Sequence, residues 1–327
     1  MNWLSLGVGI VVGIAAEQLA TLPLRRGSES EVTPRPARWS KLELATPDGG
    51  VIRGVEAGSG PPLVLLHGIT LQADVWHRQW ALADEARVIA IDLRGHGGSE
   101  PGRGGTTIEA NAEDLGFLLE ALDLEGAVIA GHSMGGMVLG RFIADHLVAD
   151  DPGEAAHRVG GVGFISTAGR SPVGIANDLL RLLASPVQRL AAANPDLARR
   201  LVSIPDNDLG HVMVRSVFGK RPDPRDVRET AHAFDSLEVS RFLETAPSIL
   251  EHDVLDALTR CSLPAAVIVG SRDPLTPVRE SRRLVSALPA ASLEIVDGAG
   301  HQLMLERPAE LNAMLRDLLA RAAVRTV

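Results

Sequence analysis

The segment at residues 131–135, Gly-His-Ser-Met-Gly, constrains this chain most strongly, because it places a serine between glycines at a strand-to-helix junction. An apolar run at residues 127–130 precedes it, and a helix-like stretch at residues 136–148 follows it. The glycines permit a sharp turn that pushes the Ser133 hydroxyl out from the backbone. The helix behind it offers unpaired N–H groups and a positive dipole end to a developing oxyanion. The segment therefore predicts a nucleophilic serine, provided that a base and an acid serve it.

Composition permits a large buried core and argues against several classes of partner. Of the 327 residues, 45% are hydrophobic, which is ample for one domain with an insertion or for two domains. The net charge of −9 argues against a nucleic-acid partner and against an anionic membrane surface. The single cysteine, Cys261, excludes an internal disulfide and a cysteine-based zinc site, and we expect it to be a buried apolar residue.

The first 24 residues form an apolar segment with two interpretations. Residues 3–16 are shorter than the about 20 residues that a spanning helix needs, and extension to residue 24 includes Glu17 and Pro23. Residues 3–24 are either a membrane anchor or membrane-surface helix, or an apolar helix docked on the domain. The positive charges that follow, beginning with Arg25, would leave the rest of the chain in the cytoplasm. Residues 25–40 are polar and contain prolines, which is typical of a linker.

From residue 41 onward, strand-like and helix-like segments alternate. We predict a hairpin at 41–57, strands at 63–66, 88–91, 127–130, 159–165, 265–269 and 293–296, and helices at 72–84, 107–122, 136–148, 277–288 and 308–322. The strand-like runs are continuously apolar, as expected of strands that helices cover on both faces. Residues 169–260 interrupt the alternation with helical patches and prolines. The pattern predicts an α/β fold with a mostly parallel sheet, a core at 41–168 and 261–327, and a helical cap at 169–260.

Two residues at later strand ends are the candidate base and acid. His301 follows the last predicted strand, and Asp273 follows the strand at 265–269. The carboxyl ends of parallel strands are where such folds place ligands and chemistry. Asp92 is the rival acid, because it ends the strand at 88–91. Asp92 precedes Ser133 in the chain, however. The order Ser133, Asp273, His301 is the one expected when the nucleophile lies on a sharp strand-to-helix turn of this kind.

The oxyanion of an acyl-transfer reaction also needs hydrogen-bond donors. The backbone N–H of Met134 and that of Ile69, in the loop after the strand at 63–66, are the candidates. Apolar side chains of the cap are candidates for the wall of a substrate pocket, with core packing as the alternative role: Met213, Phe218, Phe234 and Phe242. The proposed chemistry needs no cofactor and no metal.

Together, these motifs resemble the α/β-hydrolase superfamily over about residues 42–319. The motifs are His67-Gly68, residues 92–99, the elbow at 131–136, residues 270–273, and Gly300-His301 followed by Glu306-Arg307-Pro308. The resemblance implies an eight-stranded, mostly parallel sheet flanked by helices, with an inserted helical cap. It also implies that Ser133 is the nucleophile, Asp273 the acid and His301 the base.

Structural roles are expected for the other motif residues. Asp92, Arg94 and His96 are expected to shape a turn, with backbone donors holding Asp92. His67 is expected to support the oxyanion loop.

The resemblance implies a serine esterase, similar to carboxylesterases and lipases, acting on a small-molecule or lipid-like ester. Ser133 argues against dehalogenases and epoxide hydrolases, which place an aspartate at this position. Carbon–carbon bond hydrolases and cofactor-free perhydrolases, or haloperoxidases, keep the same triad and remain open alternatives. The alternative from a different class is a ligand receptor of this fold, which would bind its ligand with near-stoichiometric turnover at best.

Overall fold

A computed structural model of the chain describes residues 39–150, 157–172, 212, 214–235 and 239–325. The apolar segment at residues 1–24, most of the predicted linker and much of the predicted cap lie outside these residues. Among the helices of the described ranges, none is long and apolar enough to cross a membrane.

Eight strands form one sheet in the described part of the chain. They are β1 (Trp39–Ala45), β2 (Val51–Ala57), β3 (Pro62–Leu66), β4 (Arg87–Ile91), β5 (Ala127–His132), β6 (Val159–Ile165), β7 (Ala265–Gly270) and β8 (Ala291–Val296). Their order in the sheet is β1-β2-β4-β3-β5-β6-β7-β8. The β1–β2 hairpin is antiparallel and pairs antiparallel with β4, whereas β4, β3 and β5 to β8 are mutually parallel. The α/β fold with a mostly parallel, eight-stranded sheet is thereby confirmed.

The helices that follow these strands occupy most of the predicted positions. They are α1 (Ile108–Ala121), α2 (Met134–Phe142), α3 (Pro224–Asp235), α4 (Val239–Glu251), α5 (Leu255–Leu258), α6 (Val278–Ala287), α7 (Leu303–Glu306) and α8 (Pro308–Arg325). A π-helical turn, Ile143–Leu147, continues α2, so the predicted helix at 136–148 consists of two parts. Of these helices, α3, α4 and α5 lie within the residues predicted to form the cap.

The predicted helix at residues 72–84 is wrong in detail. The structure has two short 3₁₀ helices there, Ala73–Trp76 and Gln79–Leu82. At the break, Arg78 donates to the carbonyl oxygen of Leu305, and the Gln79 amide donates to Asn312 Oδ1 at 3.2 Å. These tertiary contacts with the C-terminal helices outweigh the local preference for one continuous helix.

The two faces of the sheet bury two separate apolar clusters. Val64 of β3 packs with the cluster that contains α1 and α2, whereas its neighbour Leu65 packs with the cluster that contains α8. Ile129 and Val128 of β5 divide between the same two clusters. Since successive side chains point to opposite faces, strands covered on both faces must be apolar throughout. This burial explains the continuous apolar runs and leaves the strand ends to carry the polar chemistry.

Arg94 fixes the turn that follows β4. Its guanidinium pairs with both carboxylate oxygens of Asp114 on α1, at 2.5 and 2.6 Å, and with Asp48 in the β1–β2 turn at 2.7 Å. Asp92 accepts from the N–H of Ala73 at 2.7 Å and from that of Gly98 at 2.9 Å. These contacts are the structural ones expected for the turn.

We expect Arg94→Met to lower the free energy of unfolding by about 3 kcal/mol, because it leaves the carboxylate of Asp114 buried without its cation. Arg94 is only 5% exposed, so water cannot replace the lost contact. Arg87→Met is the matched control, since it breaks a part-exposed pair with Glu56 and should cost about 1 kcal/mol or less. Urea unfolding of both variants measures the difference. Equal losses would show that the Arg94 pairs act as surface pairs.

Buried histidines make stability depend on pH. Burial lowers the pKa of His67, His96 and His252 to about 4, from an ordinary value of 6.5. Above pH 6.5 both the folded and the unfolded chain carry these rings neutral, so their full contribution to stability is present there. As pH falls from 6.5 towards 4, the unfolded chain binds protons that the folded chain does not, and stability is lost. At pH 5 each ring should cost about 2 kcal/mol.

His252→Gln tests this pH dependence away from the strand ends. His252 lies before α5, and its Nε2 has no hydrogen-bond partner among the described residues. The variant should lose less stability than the wild type between pH 7 and pH 5, by about 2 kcal/mol in urea unfolding. The control His232→Gln removes an exposed ring on α3 and should leave the profile unchanged. Identical profiles for wild type and His252→Gln would contradict the prediction.

Candidate active site

Ser133 occupies a one-residue turn between β5 and α2. Its backbone has φ 51° and ψ −118°, a strained conformation for a residue other than glycine, and its side chain makes no capping hydrogen bond. A Cβ atom on Gly135 would lie 2.4 Å from the carbonyl oxygen of Leu66, so only glycine allows this close approach. The Ser133 residue itself is half-buried. The hydroxyl is therefore held at the surface of the turn and is not used as a helix cap.

His301 and Asp273 meet at the carboxyl ends of the neighbouring strands. His301 Nδ1 lies 2.8 Å from Asp273 Oδ2, and both side chains are buried. The backbone N–H groups of Leu275 and Thr276 donate to Asp273 Oδ1, each at 2.9 Å, and the Thr276 hydroxyl donates to Oδ2 at 2.8 Å. Burial opposes ionisation of Asp273, but the charge of His301 and these hydrogen bonds outweigh it and lower the pKa of Asp273. The ionised carboxylate thus keeps the proton of His301 on Nδ1.

The elbow and the His301 loop contact each other through the residue before the serine. His132 Nε2 lies 3.0 Å from the backbone oxygen of His301, and the two imidazole rings are 4.7 Å apart between centroids. His132 is fully buried, and burial, followed by the charge of His301, holds its pKa well below the ordinary value. The His132 ring therefore stays neutral and packs beneath the site. The structure brings Ser133, Asp273 and His301 to one end of the sheet.

The loop that carries Ile69 lies against the elbow. A Cβ atom on Gly68 would lie 2.8 Å from Nδ1 of the His132 ring and 3.1 Å from Ser133 Cβ, so a side chain here would force the elbow to shift. His67 holds the loop, because its Nδ1 lies 2.7 Å from the carbonyl oxygen of Gly68. The N–H of Leu93 donates to His67 Nε2 at 2.9 Å, which places the ring proton on Nδ1. His67 thus has the supporting position that was expected of it.

This support fixes the direction of the Ile69 amide. The Gly68 carbonyl accepts from His67 Nδ1 and from the N–H of Leu71 at 3.2 Å. In a trans peptide the N–H points away from the carbonyl, so the Ile69 N–H points away from both donors. No hydrogen bond within the described part of the chain uses that N–H. Met134 is the first residue of α2, and its N–H has no acceptor in its own helix. Neither predicted amide N–H donates a hydrogen bond within the described residues, as an oxyanion donor requires.

Glu306 ties the His301 loop to the segment before α3. Its carboxylate accepts from the N–H of Gly300 at 3.0 Å and from that of Gly219 at 2.6 Å. The N–H of His301 donates to the carbonyl of Val217 at 2.7 Å. Burial raises the pKa of Glu306, although the backbone donors oppose that shift. The sequence motif contained Glu306 without revealing this role.

The structure describes the position of one side chain among the four predicted pocket residues. Phe218 is fully buried and packs in the apolar cluster that contains α8, so it belongs to the core and does not line an open pocket. Met213 lies outside the described residues. Phe234 and Phe242 lie in α3 and α4, but their side chains are outside what the structure describes. No group of three or more His, Cys, Asp or Glu side chains is placed to hold a metal ion in the described ranges.

The chain matches a family model and is similar to several known proteins. A family model described as the alpha/beta hydrolase fold matches residues 61–308. An uncharacterized protein of Mycobacterium tuberculosis is 31% identical over 270 residues, which cover 77% of this chain and 73% of that protein. A non-heme chloroperoxidase of Kitasatospora aureofaciens is 27% identical, over 84% of this chain and 96% of its own. The solved structure of a thermophilic esterase from Thermogutta terrifontis superposes with a TM-score of 0.67 at 25% identity, covering 86% of this chain and 99% of the esterase.

Proposed function

Since the chain belongs to the alpha/beta hydrolase family, we propose that it is a serine hydrolase that cleaves carboxylic esters through an acyl-enzyme. One observation carries this proposal. An ionised, buried Asp273 lies 2.8 Å from Nδ1 of His301, at the same end of the sheet as a serine hydroxyl that caps no helix. A carboxylate, an imidazole and a serine in these positions are the parts that acyl transfer needs.

The first step forms the acyl-enzyme. With its proton held on Nδ1 by Asp273, His301 presents the lone pair of Nε2 as the base. It takes the Ser133 proton while the Ser133 oxygen attacks the ester carbonyl. The tetrahedral oxyanion then accepts hydrogen bonds from the N–H groups of Ile69 and Met134, and each donor contributes about 3 kcal/mol to its stabilisation. His301 passes the proton to the leaving alkoxide, which departs as an alcohol.

The second step releases the acid. Water gives a proton to His301 as its oxygen attacks the acyl carbonyl, and the same two amides bind the second oxyanion. The bond to the Ser133 oxygen then breaks, His301 returns the proton to that oxygen, and the carboxylic acid leaves. The substrate that we propose is a small-molecule or lipid-like ester. The similarity to an esterase at 25% identity over 86% of this chain supports ester chemistry.

A perhydrolase is the second candidate, because a similar protein is a non-heme chloroperoxidase. In that reaction hydrogen peroxide replaces water in the second step and attacks the acyl-enzyme. One O–H proton of the peroxide moves to His301 and then to Ser133, and the product is a peracid. The first step and all its residues stay the same, so the two activities differ only in the nucleophile that reaches the acyl-enzyme.

A series of p-nitrophenyl esters with increasing acyl-chain length tests the proposal. We expect a burst of nitrophenol equal to the enzyme concentration, followed by steady turnover, and the rates along the series should show which acyl groups fit. Adding hydrogen peroxide to the same ester assay, with peracid as the readout, tests the second candidate. Release of nitrophenol limited to one equivalent would favour a receptor, and the absence of any release would contradict the proposal.

A further inference from the structure

Thr167 makes a short contact with the backbone of the elbow. Its hydroxyl donates to the carbonyl oxygen of Ser133 at 2.6 Å, and the side chain is buried. The same carbonyl accepts from the N–H groups of Gly136 at 3.0 Å and Met137 at 3.2 Å, in the first turn of α2. Those two bonds belong to the helix, whereas the Thr167 bond comes from a neighbouring strand end.

A strained residue and a glycine bring Thr167 to this position. Ser166 follows the last residue of β6 and has φ 43°, in the left-handed region that disfavours a side chain. Its N–H donates to the carbonyl of Ile268 at 2.9 Å, which anchors the bend to β7. A Cβ atom on Gly136 would lie 2.5–2.7 Å from three atoms of the Thr167 side chain. The strained backbone at Ser166 and the missing side chain at Gly136 therefore both allow Thr167 to reach the Ser133 carbonyl.

The contact fixes a peptide group that the proposed mechanism uses. The Ser133 carbonyl and the Met134 N–H belong to one trans peptide, so they point in opposite directions. Holding the carbonyl from one side therefore holds the N–H towards the other. His67 acts in the same way on the peptide that joins Gly68 to Ile69, with a contact of 2.7 Å. Each proposed oxyanion donor thus has a side chain fixing the opposite end of its peptide.

We propose that Thr167 is a positioning residue that aims the Met134 amide at the oxyanion. The assignment rests on the proposed function, because it matters only if an oxyanion forms at Ser133. Thr167 touches no reacting atom, and its effect passes through the elbow peptide. It should therefore act on the transition state while leaving ground-state binding of the ester unchanged.

Thr167→Val and Thr167→Ser, made in the full chain, test the assignment. Valine keeps the shape and removes the donor, whereas serine keeps the donor and removes a methyl group. For a p-nitrophenyl ester, Thr167→Val should lower kcat about 10-fold with KM unchanged, while Thr167→Ser stays within about threefold of the wild type. An alkyl boronic acid, which forms a tetrahedral anion on a serine, should bind Thr167→Val more weakly by the same factor as the loss of kcat. Thr167→Ala also lacks the donor and serves if the valine variant does not fold.

Four outcomes would overturn the assignment. The first is unchanged kcat and boronic acid affinity in the variants that lack the donor. The second is an equal loss in Thr167→Ser, which would show that the methyl group and its packing are what matter. The third is a rise in KM at constant kcat. The fourth is a wild-type chain that turns over no ester, which overturns the proposed function as well. This outcome is distinguished from the other three because it is seen in the wild type, without any variant.

Discussion

Ser133→Ala should lower kcat for a p-nitrophenyl ester by about 10⁶-fold and remove the burst of nitrophenol. The loss is large because the variant has no oxygen at the turn to form the acyl-enzyme, so every later step loses its substrate. Stability should barely change, since the Ser133 side chain makes no capping hydrogen bond that alanine would lose. The measurement is burst kinetics together with urea unfolding on the same preparation.

Ser286→Ala is the matched control for this variant. Ser286 lies on α6, is exposed, and donates to the carbonyl of Arg282 at 2.8 Å within its own helix. The same chemical change there should leave kcat within about twofold, as expected of surface substitutions away from a site. If Ser133→Ala kept ester turnover comparable with that of this control, Ser133 would not be the nucleophile.

The central strands of the sheet, β3 to β7, could be predicted from the sequence because they are buried on both faces. The strand predicted at residues 159–165 has those bounds in the structure, and the other strands differ by a few residues at their ends. A strand that is buried on both faces is a continuous apolar run in the sequence, with polar segments before and after it. The helix predicted at residues 72–84 failed for the opposite reason. Its shape depends on contacts of Arg78 and Gln79 with α7 and α8, more than 200 residues away in the sequence.

The candidate site also contains residues that the sequence predicts and residues that it does not. Ser133, Asp273 and His301 were found because glycines and strand ends mark their loops in the sequence. Thr276 was missed, although a threonine three residues after Asp273 is a local signal for a hydroxyl that bonds the carboxylate. Thr167 gave no such signal, because its approach depends on a left-handed Ser166 and on the space above Gly136. Residues that support a site through distant backbone groups leave no local pattern.

Asp273→Asn should lower kcat by about 10⁴-fold at pH 7 while keeping the geometry of the loop. Two backbone N–H groups, those of Leu275 and Thr276, point at Oδ1, so the amide oxygen of asparagine takes that position. Its NH₂ group then replaces Oδ2 and faces Nδ1 of His301, which is 2.8 Å away in the wild type. An NH₂ group can only donate there, so Nδ1 must give up its proton and Nε2 must carry one. A protonated Nε2 cannot accept the proton of Ser133.

The position of the His301 ring proton distinguishes this effect from a simple loss of charge or of fold. Asp297→Asn is the control, because Asp297 is exposed and accepts a hydrogen bond from the Ser271 hydroxyl at 3.2 Å, so kcat should stay within about twofold. The ¹⁵N chemical shifts of His301, measured by NMR, should show the ring proton on Nδ1 in the wild type and on Nε2 in Asp273→Asn. Loss of activity with the proton still on Nδ1 would contradict the mechanism and assign the effect to charge alone. Retention of kcat within tenfold would show that Asp273 does not orient the base.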